Sequence, residues 1–381
     1  MENKKIKILY FMDGIGNGGG IQEMVINWVS HFDLSKYQVD ILSYNTGKKD
    51  NYTERFEKYG GKIYLINTFT KKGYFCKSIN ETKKFFKEHY NYDIIHAHAS
   101  SKAYFVLKEA KKNGIKIRIL HSHCTQFVNR SFKSLLIGNI LKPFCKGVAT
   151  HYFACSHEAG YFLFGKKTMD KEGYFIPNGI DLSKFNYDNE IKLKIKEELE
   201  IDNDYFIVGN IGRFRPQKNH EFLINILPEL LKINPKTILI LCGTGELMDS
   251  MKKLAKDLNV YSNVKFLGYR KDVNNIINCF DVMVMTSLFE GLPVTAVEVQ
   301  ALGIPCVFSD SISKDTAINP NCSFISLKDN YSIWAKKIID TFHKGNIKNK
   351  DFLVKKGFDI VDSSSFLCEI YKNILENRKA L

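Results

Sequence analysis

From Ile6 to Phe308, short apolar runs alternate with stretches of helical periodicity, and this alternation confines the chain to parallel sheets covered by helices. In the first half, strands are expected at Ile6–Met12, Val39–Ser43, Ile63–Ile66, Ile94–Ala97, Ile117–Leu120 and Tyr152–Cys155. In the second they fall at Phe206–Ile211, Thr237–Leu241, Val264–Leu267, Val282–Met285 and Cys306–Phe308. Each parallel strand must be regained through a crossover, and such crossovers are right-handed.

A chain of 381 residues is too long for one such core. The expected fold class is therefore α/β, built as two Rossmann-like, doubly wound domains. Ile176-Pro-Asn-Gly-Ile-Asp181 marks the boundary, giving domains of about 1–178 and 186–362. The tail 363–381 reads as an amphipathic helix with Phe366, Leu367, Ile370, Tyr371, Ile374 and Leu375 on one face. It either closes the second domain or returns to the first. Open α/β sheets bind ligands outside the carboxyl ends of their strands, so two facing sheets are expected to form a cleft. Every motif below follows a strand.

Two carboxylates eight residues apart follow one of these strands, Glu290 in the turn and Glu298 in the early turns of a helix expected to run to about Gly303. Between them Gly291, Leu292 and Pro293 offer backbone N–H groups at a helix N-terminus, a natural anion site. A phosphate on those amides, with carboxylates accepting from sugar hydroxyls, describes a sugar-nucleotide site. An ordinary strand–turn–helix with two exposed glutamates is the alternative.

After Phe206–Ile211 comes Gly212-Arg213-Phe-Arg215-Pro-Gln-Lys218. Arginine offers a planar fork to phosphate oxygens and lysine a mobile point charge, which suits a diphosphate that gains charge as it leaves. Cys242-Gly243-Thr-Gly245 follows the next strand, where glycine either lets a nucleoside approach or simply makes the turn. Gly268-Tyr-Arg270 ends the strand after that.

In the first half a glycine run, Gly14-Ile-Gly16-Asn-Gly18-Gly19-Gly20, joins the first strand to the first helix. It departs from Gly-x-Gly-x-x-Gly, and the second strand ends in Ser43-Tyr44-Asn45 without the acidic residue a nicotinamide site requires. Gly19 and Gly20 are instead expected to bring amides near a sugar or diphosphate. Two pairs, His96-Ala-His98 and His121-Ser-His123, end neighbouring strands, and alternate residues share a face. They could form a metal site, but no acidic partner is apparent, and at least two are expected to be structural.

Arg213-x4-Lys218 together with Glu290-x7-Glu298 resembles the signature of the retaining family-4 glycosyltransferases of GT-B fold, of the bacterial type that builds capsular and extracellular polysaccharide. The resemblance spans the chain and is most specific from Gly212 to Pro305. It implies hexosyl transfer from a nucleoside diphosphate sugar, most often a UDP-sugar, to a lipid-linked saccharide acceptor. No cofactor is expected, and no metal-held diphosphate, because none of these strand-end motifs is an Asp-x-Asp. Arg213, Lys218, Gly291 and Leu292 would then grip the diphosphate, with Gly19, Gly20 and Gly243 close by. Arg270 would stand beside the base, Glu298 on the ribose and Glu290 on the transferred sugar. His123, with His121 as its rival, would lie beside the reacting carbon, and His96 and His98 towards the acceptor. Glu290-Gly-Leu-Pro departs from the common Glu-x-Phe-Gly-Leu. A non-hydrolysing sugar-nucleotide epimerase, a catalytically silent partner subunit and a basic nucleic-acid-binding module remain as rivals.

Composition narrows the setting. No apolar run approaches the ~20 residues that span a bilayer, and the start of the chain lacks a signal core. Nine cysteines without a Cys-x-x-Cys argue for reduced thiols in the cytoplasm. Residues 1–186 hold 29 Lys+Arg against 16 Asp+Glu, whereas residues 187–381 hold 26 against 25. The basic N-terminal half therefore points to an anionic partner, and with no nucleic-acid-binding motif the inner membrane surface is favoured over nucleic acid. The stretch Phe127–Lys146 interleaves Arg130, Lys133, Lys142 and Lys146 with apolar residues. It reads either as a membrane-facing helix or as a core-facing one with a lysine-rich outer side.

Overall fold

The computed structural model describes residues 4–15, 19–45, 51–67, 75–127, 132–347 and 349–379. Gly16 and Gly18 of the glycine run, Arg130 of the basic segment, and residues 380 and 381 lie outside the described residues. The chain divides into two units, residues 1–179 with 360–381, and residues 180–359. The division falls inside the Ile176–Asp181 turn.

The first unit carries β1 (Ile6–Met12), β2 (Tyr37–Tyr44), β3 (Ile63–Ile66) and β4 (Ile94–His98). It continues with β5 (Ile117–Ser122), β6 (His151–Ala154) and β7 (Gly173–Phe175). All pair in parallel in the order β3-β2-β1-β4-β5-β6-β7. The side chains of β1 alternate between two cores: Ile8, Tyr10 and Met12 face one, Leu9 and Phe11 the other. A strand buried on both faces must be apolar throughout, which explains the unbroken run in its sequence.

The second unit holds β8 (Phe206–Ile211), β9 (Thr237–Cys242), β10 (Val264–Gly268), β11 (Val282–Met285), β12 (Cys306–Ser309) and β13 (Cys322–Ile325). Their order is β10-β9-β8-β11-β12-β13, again parallel. The edge strands β7 and β13 were not expected from the periodicity. β7 has only three residues and opens on Gly173, while Ser323 interrupts the short apolar run of β13, so neither shows an unbroken run.

The last helix, Ile360–Lys379, belongs to the first unit and starts earlier than expected. Leu367, Ile370, Tyr371 and Ile374 enter the core that contains Tyr10 and Trp28. The Trp28 indole donates to Ser363 Oγ at 3.0 Å, and that hydroxyl donates to the Pro177 carbonyl at 3.1 Å. Phe366, expected on the buried face, is exposed instead, and Ser363 and Ser364 are buried. A hydrogen-bonded serine fits against the indole where a phenyl ring would not. The eight cysteines whose side chains are described are all free thiols.

Candidate functional site

In the second unit the strand order reverses between β8 and β11, the position at which open α/β sheets bind their ligands. Hydrogen bonds tie the two loops together. Leu288 N–H donates to the Gln217 carbonyl at 2.8 Å, and Gln217 Nε2 donates to the Phe289 carbonyl at 3.1 Å. Asn219 Nδ2 donates to the Thr286 carbonyl at 3.1 Å, while the Thr286 hydroxyl donates to the Asn219 carbonyl at 2.9 Å. Asn219 has φ 53°, a left-handed conformation that asparagine tolerates, and from it the helix His220–Ile233 departs. This stitching carries Lys218 to Glu290, with Nζ 2.7 Å from Oε1.

Glycine brings the neighbouring loops close. Gly243 has φ 142°, and a Cβ there would collide with the Gly212 carbonyl oxygen. Its N–H donates to the Gly268 carbonyl at 2.8 Å. Phe214 N–H donates to the Thr244 carbonyl at 3.0 Å, and Leu247 N–H to the Phe214 carbonyl at 3.1 Å. The loops after β8, β9 and β10 thus lie backbone against backbone, with Arg213 among them. Burial, and then the Arg215 charge, lower the Arg213 pKa against the opposing charge of Glu246, so the guanidinium is a partly desolvated cation.

Gly291 and Leu292 are buried just ahead of the helix Val294–Ala301, in which Glu298 is the fifth residue. The helix is shorter than expected, because Leu302 caps it and Gly303 turns out at φ 78°. Arg270 is already engaged: its guanidinium donates to Asp272 and Glu198, and these carboxylates raise its pKa. It stands next to the Gly268 backbone in this ion-pair network. The chain's one Asp-x-Asp, Asp202-Asn-Asp204, precedes β8 at the opposite edge of the sheet, where Asp204 pairs with Lys236.

Sequence reasoning missed several residues here. Thr295 Oγ1 is buried without a hydrogen-bond partner at the second position of the helix after Pro293. A hydroxyl at a helix start was the available signal. His220 stacks on Phe214 with ring centroids 4.2 Å apart, and neither of its ring nitrogens has a partner. Burial, then the Lys218 charge, lower its pKa to about 3, so it is held neutral under the loop. Gln217 and Asn219, to which the motif assigned no role, join the two loops.

In the first unit the order reverses between β1 and β4. Gly19 caps the helix Gly20–Ser30, and Gln22 Nε2 donates to the Gly14 carbonyl at 2.8 Å, pinning the described ends of the glycine run. The four histidines of β4 and β5 meet as two hydrogen-bonded pairs. His96 Nε2 lies 3.1 Å from His121 Nδ1, and His98 Nδ1 lies 3.0 Å from His123 Nε2. The pairs stack, with centroids 4.2 Å apart for His96 and His98 and 4.1 Å for His121 and His123. His96 Nδ1 is 2.6 Å from the Tyr371 hydroxyl, which is 3.0 Å from that of Tyr10.

His96, His98 and His121 are fully buried and His123 is partly so. Burial drives all four pKa values down, that of His123 to about 3, and for the other three mutual repulsion adds to it. They are neutral imidazoles, each pair sharing one proton between facing nitrogens. His96 bonds both His121 and Tyr371 within the core and His121 is fully buried, whereas His123 is only partly so. Among the described residues, His96, His98 and His121 each bring a nitrogen within 4.8 Å of the others, and that set contains no carboxylate or thiol.

Comparison with known proteins follows this division. Residues 18–184 match the family described as Glycosyltransferase Family 4, and residues 191–352 match Glycosyl transferases group 1. The chain is 31% identical over 377 residues to the putative glycosyltransferase EpsF of Bacillus subtilis, covering 97% of each chain. It is 27% identical over 325 residues to the UDP-Gal:alpha-D-GlcNAc-diphosphoundecaprenol alpha-1,3-galactosyltransferase of Escherichia coli, covering 79% of this chain and 80% of that one. In fold it is similar to Anabaena Alr3699/HepE, solved in complex with UDP and glucose, with TM-score 0.78 at 18% identity over 97% of this chain and all of the other. Fold, matched families and a full-length relative agree, and the chain belongs to the family-4 type of GT-B glycosyltransferases, with two Rossmann-like domains.

Proposed function

We propose that the chain transfers a hexosyl group, with retention at the anomeric carbon and without a metal, from a nucleoside diphosphate sugar to a lipid-linked saccharide in cell-surface polysaccharide synthesis. The observation that carries this reading is the junction of Lys218 with Glu290 at the strand-order reversal, beside the partly desolvated Arg213. One group of this junction suits a phosphate and the other a sugar hydroxyl. UDP is the favoured nucleotide, in keeping with the name of the E. coli relative and the ligand of the Anabaena structure.

In this reading Arg213, Lys218 and the N–H groups at Gly291 and Leu292 neutralise the leaving diphosphate. Thr295 supplies a further donor at the helix start. Glu290 orients the sugar and Glu298 the ribose, while His123 serves the transferred sugar through its neutral ring. The acceptor hydroxyl enters on the face the diphosphate leaves, and a diphosphate oxygen takes its proton. The enzyme works in the cytoplasm at the inner membrane surface, which its basic half meets.

Thermal stabilisation by UDP, GDP, ADP and CMP tests the donor site, with Lys218→Ala and Glu298→Ala beside wild type. UDP at 100 times its dissociation constant should stabilise wild type by about 2.7 kcal/mol, and neither variant should respond. Indifference of the wild type to all four nucleotides would refute the proposal.

A further inference from the structure

The helix Phe132–Val148 turns Gly138, Leu141, Cys145 and Val148 inward. Cys145 Sγ donates to the Ser101 carbonyl at 3.2 Å, and Gly138 lies against the Phe127 ring. That inner face accounts for its attachment to the unit. Its outer side does not carry the lysine-rich surface of an ordinary solvated helix. Phe132, Leu136, Ile140 and Phe144 recur at every fourth residue, joined by Ile137, and each is between 49% and 80% exposed. Five large apolar side chains on about 25 Å of one helix form a continuous stripe that water disfavours.

Charge indicates what covers the stripe. The helix contains no aspartate or glutamate, and Lys133 and Lys146 are exposed on it, while Lys142 Nζ lies 4.4 Å from the Phe162 ring centroid. Residues 101–150 hold ten Lys+Arg and one acid, Glu109. The unit that carries the helix has 31 Lys+Arg against 18 Asp+Glu, net +13, whereas the other has 24 against 23. A second copy meeting this face through a two-fold axis would bring six lysines together with no acid to offset them. An anionic surface with an apolar interior satisfies both the stripe and its lysines.

We infer that this outer face docks the chain on a bilayer bearing anionic headgroups, with the helix lying in the plane of the interface. It does not cross: among the described residues no helix is long and apolar enough to span a membrane. The inference rests on the reading above only for its purpose, bringing the enzyme to a lipid-linked acceptor. The stripe lies in the first unit and the proposed donor loops in the second, so the two fail separately.

Flotation of the full chain with vesicles of phosphatidylcholine, alone or with a third phosphatidylglycerol, provides the test. Wild type should float with the anionic vesicles and be released by salt. Replacing Lys133 and Lys146 with glutamine should weaken binding about fivefold per lysine. The triple variant Leu136→Ser/Ile140→Ser/Phe144→Ser should lose binding at least tenfold and keep the wild-type melting temperature, since these side chains are exposed. A UDP-induced rise in melting temperature should be identical in all forms. If the triple variant floats as well as wild type, or wild type binds neither vesicle, the inference is overturned. Self-association abolished by the serines with vesicle binding intact would assign the stripe to a second copy instead. Vesicle binding in a protein indifferent to nucleotides would leave this inference standing and remove the donor reading.

Discussion

Lys218 Nζ and Glu290 Oε1 lie 2.7 Å apart, although their residues follow different strands of one sheet. Both side chains are largely buried, at 18% and 11% exposure, so each offsets a charge that the other would leave poorly solvated. In the proposed reaction a diphosphate competes with Glu290 for the ammonium group, and Glu290 turns to the sugar. The pair thus holds both groups at the strand-order reversal without a ligand.

That relationship is measurable as a coupling energy. In a cycle of Lys218→Met, Glu290→Gln and the double variant, urea unfolding should give a coupling of about 1–3 kcal/mol, with each single change abolishing transfer. Single-variant losses that sum to the double-variant loss within about 0.5 kcal/mol would show that the contact contributes nothing.

Thr295 separates binding from folding. Its hydroxyl makes no hydrogen bond among the described residues, so Thr295→Val should leave stability unchanged or slightly raised. Loss of one donor to a phosphate should weaken UDP binding about tenfold by calorimetry. Unaltered affinity would remove this hydroxyl from the site.

The histidine quartet predicts an acid-sensitive fold. His96, His98, His121 and His123 have pKa values lowered in the folded state, so the unfolded chain binds more protons at mildly acidic pH. Their contribution is complete above the unfolded value of about 6.5 and is lost as pH falls below it, towards the folded value of about 3 to which burial brings His123. Between pH 6 and pH 5, stability should drop by about 1.4 kcal/mol for each proton taken up on unfolding. A melting temperature that stays flat from pH 7 to pH 5 would contradict the neutral assignment. His121→Asn should flatten the profile more than the exposed His31→Asn, which serves as control.

Much of this could be read in the sequence. The interior strands announced themselves because a parallel strand covered on both faces is nearly all apolar, as residues 8–12 of β1 and 206–208 of β8 are. Glu290-x7-Glu298 and Arg213-x4-Lys218 stood out because each lies where a strand gives way to a helix. The edge strands β7 and β13 stayed hidden, because Gly173 and Ser323 break up their short apolar runs. Phe366 looked like a core residue from its spacing alone, and only the presence of Trp28 shows why serine took the place beside it. The basic stretch after β5 was ambiguous for the same reason, because periodicity shows that a helix has faces without saying which one the protein covers.

The sequence by itself determined the two parallel-sheet domains, the family and the residue types gathered at strand ends, since these follow from local pattern and short spacing. Tertiary structure alone decided that Lys218 meets Glu290, that four histidines share two pairs of hydrogen bonds against Tyr371, and that five apolar side chains remain outside. Those relations join residues 25 to 275 positions apart in the histidine network and 72 apart across the lysine–glutamate pair. Over such separations no local periodicity operates, and only the packing of strands and helices brings the groups within reach.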